Sequence, residues 1–400
     1  MNQIIIFSSI YLAFFIYAYK TNKFGSFLLF IYKGLYLLIS AILIEDAILK
    51  QFLLSDMICN ILILLGILII KKKNIISDES DFTANADILK KIFLIFGIFI
   101  FYHYYMTGIP FLSENIHTLR FNLRSSGLFG VPSRLAVYGI TILFMITLFS
   151  FEKNIFRRER IIVYFLIILI FTAFQSSKSS LVPIFYYLML CYPFIISKKK
   201  FIYSYKNFIF FIFITSIYFL FIFDILGSIN NLNVLDYLIF RSTVVTYDSG
   251  IFLIYNMSHN DFNFAFNNAL LNDLLYPIFT LFSSEVTTLN EQLSRALYGN
   301  YTGSSVPVTP GWFAYHNFIF KYSYSLTYLY SLFFGFFIGF LENKTFKSNL
   351  LVSRVTLLAS LYWLWGGYSK GNLYYIILNL LLCLSIVYAI NIFFKKTTRQ

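Results

Sequence analysis

Residues 53–70, LLSDMICNILILLGILII, form an almost unbroken apolar run that is followed at once by Lys71, Lys72 and Lys73. A membrane-spanning helix needs about 20 mostly apolar residues, because the hydrocarbon core of a bilayer is about 30 Å thick and each helical residue adds about 1.5 Å. The run therefore predicts a spanning helix. The lysines after it predict that this helix ends in the cytoplasm.

The composition of the whole chain agrees with a place in a bilayer. Of the 400 residues, 59% are hydrophobic and only 12% are charged, whereas soluble domains carry about 25% charged residues. A net charge of +13 would favour nucleic acid as the partner of a soluble protein, but here Lys and Arg cluster between apolar runs. The three cysteines lack metal-ligand spacing. We therefore expect a membrane protein without a nucleic-acid partner, a disulfide framework or a zinc site.

Apolar runs of similar length recur along the chain and predict an all-α polytopic membrane protein with about eleven transmembrane helices. They lie at about 3–19, 27–44, 53–70, 92–109, 134–151, 160–175, 180–197, 207–226, 321–341, 351–368 and 372–394. These runs divide the chain into a transmembrane bundle of about eight spans (1–226), a long loop (227–320) and a C-terminal group of spans with a tail (321–400).

The positions of Lys and Arg predict the orientation of the spans, because these residues are retained in cytoplasmic loops. Most of the 31 Lys and Arg residues fall on one side of the predicted spans. No basic region precedes the first apolar run, so we expect no cleavable signal peptide. The pattern predicts a periplasmic N-terminus, a cytoplasmic C-terminus, and periplasmic locations for segment 110–133 and for the loop 227–320.

Two stretches of the long loop, 235–257 and 263–283, are apolar but interrupted by charge. Asp236, Arg241 and Asp248 interrupt the first stretch, and Asp273 interrupts the second. Since a charge at the middle of a bilayer is costly, we favour amphipathic or re-entrant helices at the outer face over two additional spans.

Arginines on the predicted outer side are candidate ligands for phosphate. Arg120 and Arg124 lie one turn apart on a predicted helix and would form a fork for phosphate oxygens. Contact of that helix with anionic lipid headgroups is the alternative. Arg241 lies close to Tyr247 and Asp248, and an arginine in this apolar setting needs a partner. We favour a ligand there over an ion pair with a neighbouring aspartate.

Two other cations are further candidates. Lys178 lies in a polar break between two predicted spans, where it would bind an anion or extend its ammonium to the interface. Arg295 lies one turn after Glu291, so an exposed ion pair competes with a role as a ligand.

The long loop ends in a run of turn-forming residues, 299–311, which is followed by the aromatic segment 312–317. Trp312 and Tyr315 are candidates to stack on sugar faces, with a membrane-interface belt as the alternative. His316, where the loop meets a predicted span, is a candidate acid, base or phosphate ligand, and a structural histidine is the alternative.

The end of the long loop resembles the O-antigen polymerase (Wzy-type) family and the related O-antigen ligase superfamily. The resemblance rests on residues 310–317, PGWFAYHN, and on Gly335 and Gly339. The outward arginines and the long loop itself also resemble those families. The resemblance implies a metal-independent glycosyltransferase without a cofactor, acting at the periplasmic face of a bacterial inner membrane. Its catalytic residues would be His316, Arg124 and Arg241. Its substrate-binding residues would be Arg120, Lys178, Arg295, Asp248, Tyr247, Trp312 and Tyr315.

The resemblance also defines the expected partners and the alternatives. The substrates would be undecaprenyl-pyrophosphate-linked glycans, the surroundings inner-membrane lipid, and a further candidate partner a chain-length regulator protein. An O-antigen ligase shares the loop plan and stays an alternative. A lipid-linked oligosaccharide flippase is a second alternative, but its charged residues would line a cavity among the spans, whereas the long one-sided loop favours the polymerase.

Overall fold

A computed structural model of the protein describes residues 2–21, 25–44, 47–70, 86–109, 131–152, 155–174, 186–187, 190, 250, 253, 269–279, 288–289, 293, 310–348, 350–370 and 373–397. Within these residues the chain is helical, and no strand occurs. The helices are α1 (Asn2–Thr21), α2 (Ser26–Leu43), α3 (Ala47–Ile69), α4 (Ala86–Thr107), α5 (Val131–Glu152), α6 (Arg158–Phe174), α7 (Ala269–Phe279), α8 (Trp312–Ile319), α9 (Tyr324–Lys347), α10 (Leu351–Lys370) and α11 (Leu373–Thr397).

The all-helical class is confirmed for the described residues. Helices α1 to α6 and α9 to α11 coincide with predicted apolar runs, and α7 falls within the predicted amphipathic stretch 263–283. The run at 207–226 lies outside the described residues, and the run at 180–197 lies largely outside them. In the part of the chain that the structure describes, two helical segments, Ala47–Ile69 and Tyr324–Thr345, are long and apolar enough to cross a membrane.

Several helices expose their apolar side chains. On α4, residues Leu94, Ile98, Phe101 and Tyr105 are 57–76% exposed, and their spacing places them on one face of the helix. Asp56 and Asn60 of α3, in contrast, are buried. Apolar residues outside and polar residues inside are the arrangement expected when the surrounding solvent is lipid.

Small residues allow α3 and α9 to approach closely. A Cβ atom on Gly66 would lie 2.5 Å from the carbonyl oxygen of Leu332, and one on Gly335 would overlap the carbonyl oxygen of Ile63. Both obstacles are backbone atoms, so they cannot rotate away. Helices in membranes commonly associate through such small residues, because the backbones can then reach van der Waals contact.

The same contacts give the relative direction of α3 and α9. Ile63 faces Gly335 and Ile67 faces Gly339, so the residue numbers rise together and the two helices run parallel. If both helices span the membrane, the chain between them crosses it an odd number of times. Helix α2 runs antiparallel to α9, since Ser26 near its start donates a hydrogen bond to Glu342 near the end of α9.

We expect Gly335→Ala to destabilise the protein by about 1–3 kcal/mol, because the added methyl group forces apart two packed backbones. The measurement is the thermal unfolding midpoint of purified protein in detergent. Gly97→Ala is the matched control, because a Cβ at Gly97 in α4 would meet no atom within 4 Å. Equal midpoints for Gly335→Ala and the wild type would contradict this helix contact.

Candidate functional site

The segment that ends the long predicted loop folds into α8, a helix of eight residues that enters the bundle. Its first residues contact Asp56 of α3 and Ser331 of α9. Asp56 lies about 14 Å along α3 from the start of that helix, at 1.5 Å per residue. The last residues of α8 lie against the turn that leads into α9. The N-terminus of α8 therefore lies deeper in the helix bundle than its C-terminus does.

A side chain from another helix caps the N-terminus of α8. The backbone N–H of Phe313 donates a hydrogen bond to Oδ1 of Asp56 at 2.8 Å, whereas the N-cap residue of α8 makes no side-chain cap of its own. A carboxylate at this point satisfies an N–H group that has no partner within the helix, and it interacts favourably with the helix dipole. Asp56 thereby docks α8 onto α3.

The N-cap position requires glycine. Gly311 has φ 81, a left-handed backbone conformation that residues with a Cβ atom rarely adopt. The space beside Oδ2 of Asp56, 3.4 Å from where a Cβ would lie, is sufficient for one, so the backbone conformation alone requires glycine. The Pro-Gly sequence before the aromatic segment therefore allows the chain to turn beside the buried carboxylate.

Two further hydrogen bonds hold the sides of α8. The indole N–H of Trp312 donates to Oγ of Ser331 on α9 at 2.9 Å. The hydroxyl of Tyr315 donates to Asp273 on α7, which also accepts the backbone N–H of Leu289 at 2.8 Å. Helices α3, α7 and α9 therefore fix the position of α8 together.

His316 has no exposed surface and is enclosed by aromatic rings. Its ring centroid lies 3.9 Å from that of Trp312 and 4.8 Å from that of Tyr330 on α9. Tyr315 and Tyr374, the latter on α11, face the same ring at 5.3 and 5.8 Å. These rings shield the imidazole from water.

A hydrogen bond to the backbone fixes the tautomer of His316. Nδ1 lies 2.9 Å from the carbonyl oxygen of Trp312, and a carbonyl only accepts, so we assign the proton to Nδ1. Nε2 then has a lone pair, and it is buried without a hydrogen-bond partner in the described part of the chain. Burial lowers the pKa of His316 to about 3, because the imidazolium is disfavoured away from water. The ring is therefore neutral at pH 7 and presents an acceptor.

Asn317, the next residue, is also buried without partners. Neither its Oδ1 nor its Nδ2 makes a hydrogen bond within the described residues. Each buried polar atom that lacks a partner costs about 1–3 kcal/mol, so native structures contain few of them. Three such atoms on adjacent residues form a group able to accept from and donate to the hydroxyl groups of a ligand.

A polar network supports α8 from inside the bundle. Asn60 of α3 accepts a hydrogen bond from the hydroxyl of Tyr11 at 3.0 Å and donates one to the hydroxyl of Tyr368 at 2.8 Å. The ring of Tyr368 packs against Trp312 with 5.0 Å between centroids. The network joins α1, α3 and α10 and fixes the surface on which Trp312 rests.

The structure brings three of the predicted site residues together on α8: Trp312, Tyr315 and His316. Trp312 and Tyr315 are fully buried, and their polar atoms are bonded to protein. In this arrangement both rings support α8, and a sugar could stack on them only after α8 or its neighbours had moved. The other predicted site residues lie outside the described residues: Arg120, Arg124, Lys178, Arg241, Tyr247, Asp248 and Arg295.

Comparison of the chain with protein-family models, curated proteins and solved structures found no match. Within the described residues, no three His, Cys, Asp or Glu side chains gather in a group that could hold a metal ion.

The structure adds residues to the site that no sequence pattern indicated, namely Asp56, Asp273, Tyr330 and Tyr374. Asp56 is the sole acidic residue of the run 53–70, and a charge within a predicted span is itself a signal of function. In the sequence, Asp273 indicates only an interruption of an apolar stretch. Tyr330 and Tyr374 carried no usable signal, because aromatic residues make up 21% of the chain.

The low pKa of His316 can be measured through Trp312, because a protonated imidazole quenches an indole in contact with it. With Trp363 and Trp365 replaced by Phe, Trp312 is the single tryptophan. We expect its fluorescence to stay constant from pH 8 to about pH 5 and to fall only as the pH approaches the His316 pKa of about 3. The same protein with His316→Gln should show no such fall. A midpoint near 6.5 would show that His316 is solvated.

Proposed function

We propose that this chain is a glycosyltransferase that polymerises undecaprenyl-pyrophosphate-linked oligosaccharide repeat units at the periplasmic face of a bacterial inner membrane. The observation that carries the proposal is the pair His316–Asn317 at the end of the long loop, with three buried polar atoms free of partners in the described part of the protein. This pair belongs to the segment on which the resemblance to O-antigen polymerases rests.

In the proposed reaction, a hydroxyl at the non-reducing end of one lipid-linked repeat unit attacks the anomeric carbon of the growing glycan. A new glycosidic C–O bond forms, and the bond from that carbon to the pyrophosphate oxygen breaks. Undecaprenyl pyrophosphate leaves with the bonding electrons, and the proton of the hydroxyl passes to a base. Nε2 of His316 has the free lone pair that this step needs.

The electrostatics of the site suit a general base that accepts a proton only when the glycan donor, with its pyrophosphate, is bound. A pKa of about 3 makes His316 a weak base by itself. The negative charges of a bound pyrophosphate would raise that pKa, because they favour the imidazolium. Since His316 and Asn317 have no exposed surface, the reaction also requires a local opening around α8.

The leaving pyrophosphate needs positive charge, and arginines are proposed to supply it. Arg124 and Arg241 would be the main ligands, with Arg120, Lys178 and Arg295 in support. Fixed guanidinium groups stabilise charge that develops on phosphate oxygens, because their planar fork makes two hydrogen bonds at once. Tyr247 and Asp248 would contact the sugar portion.

The directions of the helices support the proposed topology. The parallel packing of α3 and α9 requires an odd number of crossings between them if both span the membrane. The five apolar runs predicted between them, from 92–109 to 207–226, meet this requirement. We therefore propose a multi-pass protein with a periplasmic N-terminus and a cytoplasmic C-terminus.

One structural feature bears on the flippase alternative. Lys33 of α2 and Asp56 of α3 interact electrostatically within the bundle, and charges among the spans are what a flippase would show. Asp56, however, is engaged by the backbone of α8. The pair therefore supports the fold of the loop end, and the polymerase is favoured.

Chain growth by purified protein in lipid vesicles tests the role of His316. With undecaprenyl-pyrophosphate-linked repeat units as substrate, we expect His316→Gln to slow chain growth by about 100-fold to 10,000-fold, because positioned proton transfer contributes that much. Lys370→Ala is the control for a cation at a predicted outward turn and should stay within a few-fold of the wild type.

The same vesicles distinguish the alternatives. Transfer to lipid A core without chain growth would identify a ligase. Movement of the lipid-linked unit across the bilayer without any new glycosidic bond would identify a flippase. An unchanged rate for His316→Gln at normal protein abundance would remove the proposed base.

Substitutions of the proposed pyrophosphate-binding arginines should have different effects from substitution of a general base. Arg124→Ala and Arg241→Ala should each abolish long chains at normal abundance, and Arg241→Lys should restore them only weakly, because lysine keeps the charge but loses the bidentate fork. The measurement is the surface glycan profile of complemented cells. Arg157→Ala, an exposed arginine on the predicted cytoplasmic side, is the matched control. Long chains from both alanine variants would argue against pyrophosphate binding by these residues.

A further inference from the structure

The peptide group between Trp312 and Phe313 makes two hydrogen bonds to side chains, one on each side. Its N–H, from Phe313, donates to Oδ1 of Asp56 at 2.8 Å. Its carbonyl oxygen, from Trp312, accepts the Nδ1 proton of His316 at 2.9 Å. One peptide unit thus lies directly between a carboxylate and an imidazole.

An amide transmits polarisation between its two ends, because resonance joins the nitrogen to the carbonyl oxygen. A carboxylate that accepts from the N–H increases the negative charge on the carbonyl oxygen. The oxygen then becomes a stronger acceptor, and hydrogen bonds in such chains strengthen one another by about 10–30% per bond. The effect is greatest in a site without water, and Asp56 and His316 are both buried.

We propose that Asp56 is a positioning residue that orients His316 and holds it as the Nδ1–H tautomer through the Trp312–Phe313 peptide group. The arrangement performs the task of a carboxylate that contacts a catalytic histidine directly, with one peptide group in between. Nε2 then keeps its lone pair. The consequence for catalysis rests on the proposed function, whereas the tautomer does not.

Lys33 is the cation whose charge acts on the Asp56 carboxyl group. It lies on α2, and its ammonium group is 4.9 Å from the ring centroid of Tyr36. A buried carboxylate needs such a partner, since an isolated charge in the bundle is costly. A variant that removes Asp56 alone would leave Lys33 without its counter-charge, so both residues are changed together.

Two double variants separate the effect of the hydrogen-bond acceptor at position 56 from the effect of its negative charge. Lys33→Met with Asp56→Asn removes both charges but keeps an oxygen that accepts from the Phe313 N–H. Lys33→Met with Asp56→Leu removes the acceptor as well. Ser331→Ala is the matched control, because it deletes another hydrogen bond that holds α8 and leaves the Trp312–Phe313 peptide untouched.

The tautomer is read by ¹⁵N NMR of histidine-labelled protein, since protonated and unprotonated ring nitrogens differ widely in chemical shift. The chain has four histidines, and the His316→Gln spectrum assigns the signal. We expect Nδ1–H in the wild type, in Ser331→Ala and in the Asn variant. In the Leu variant we expect the Nε2–H form to appear.

Three results would overturn the proposal. One is a Leu variant that keeps the Nδ1–H tautomer. Another is loss of that tautomer in Ser331→Ala as well, since loosening of α8 alone would then explain it. If the Leu variant does not accumulate, the Asn variant serves instead: its weaker acceptor should shift the Nδ1 signal in part, and an unshifted signal refutes the relay.

The kinetic consequence is measured separately. In the vesicle assay we expect the Leu variant to lower kcat by about 10- to 100-fold with KM unchanged, the range seen when a group that orients a metal-binding histidine is removed. If the wild type forms no polymer while the NMR result holds, the proposed function fails and the relay stands.

Discussion

The hydrogen bond from the Phe313 amide to the Asp56 carboxylate determines where the loop end lies. A helix of eight residues is not stable by itself, because helix nucleation costs free energy and so short a helix has few backbone hydrogen bonds to offset it. α8 therefore depends on its contacts with longer helices. α3 can serve as the anchor because its own position is fixed by close backbone contact with α9 through Gly66 and Gly335. The position of His316 therefore depends on α8, the position of α8 depends on the Asp56 carboxylate, and the position of Asp56 depends on the packing of α3 against α9.

The environment of α8 combines well-satisfied and unsatisfied polar groups on adjacent residues. Trp312 and Tyr315 find partners on α9 and α7, whereas Nε2 of His316 and the amide of Asn317 find none among the described residues. Other buried polar atoms without partners are scattered among the described helices, but three of them lie together on His316 and Asn317. A fold that holds α8 so firmly can tolerate the cost of a few kcal/mol that these atoms impose. This contrast is the reason for treating the pair as functional.

The sequence predicted the parts of the fold that depend on local composition. Apolar runs identified α1 to α6 and α9 to α11, because hydrocarbon thickness sets a length that composition alone reveals. They did not identify α8. His316 was selected because it stands at a recognisable loop end. The partnership of Asp56 with Phe313 was not predicted, since the two residues are 257 positions apart and no periodic pattern links them. The presence of Asp56 in an apolar run is a signal that could have selected it, but only the packing of α8 on α3 shows its partner.

The protonation of His316 follows from geometry more than from residue type. An exposed histidine has a pKa near 6.5 and exchanges between two tautomers. Enclosure by Trp312 and Tyr330 lowers the pKa to about 3, and the Trp312 carbonyl selects one tautomer. Burial of His316 among aromatic rings would, by itself, leave its imidazole a weak base. A carboxylate on the far side of the same peptide favours a proton on Nδ1, and negative charge brought by a pyrophosphate would favour a proton on Nε2 as well. In the proposed polymerase, the basicity of His316 would therefore depend on the bound pyrophosphate.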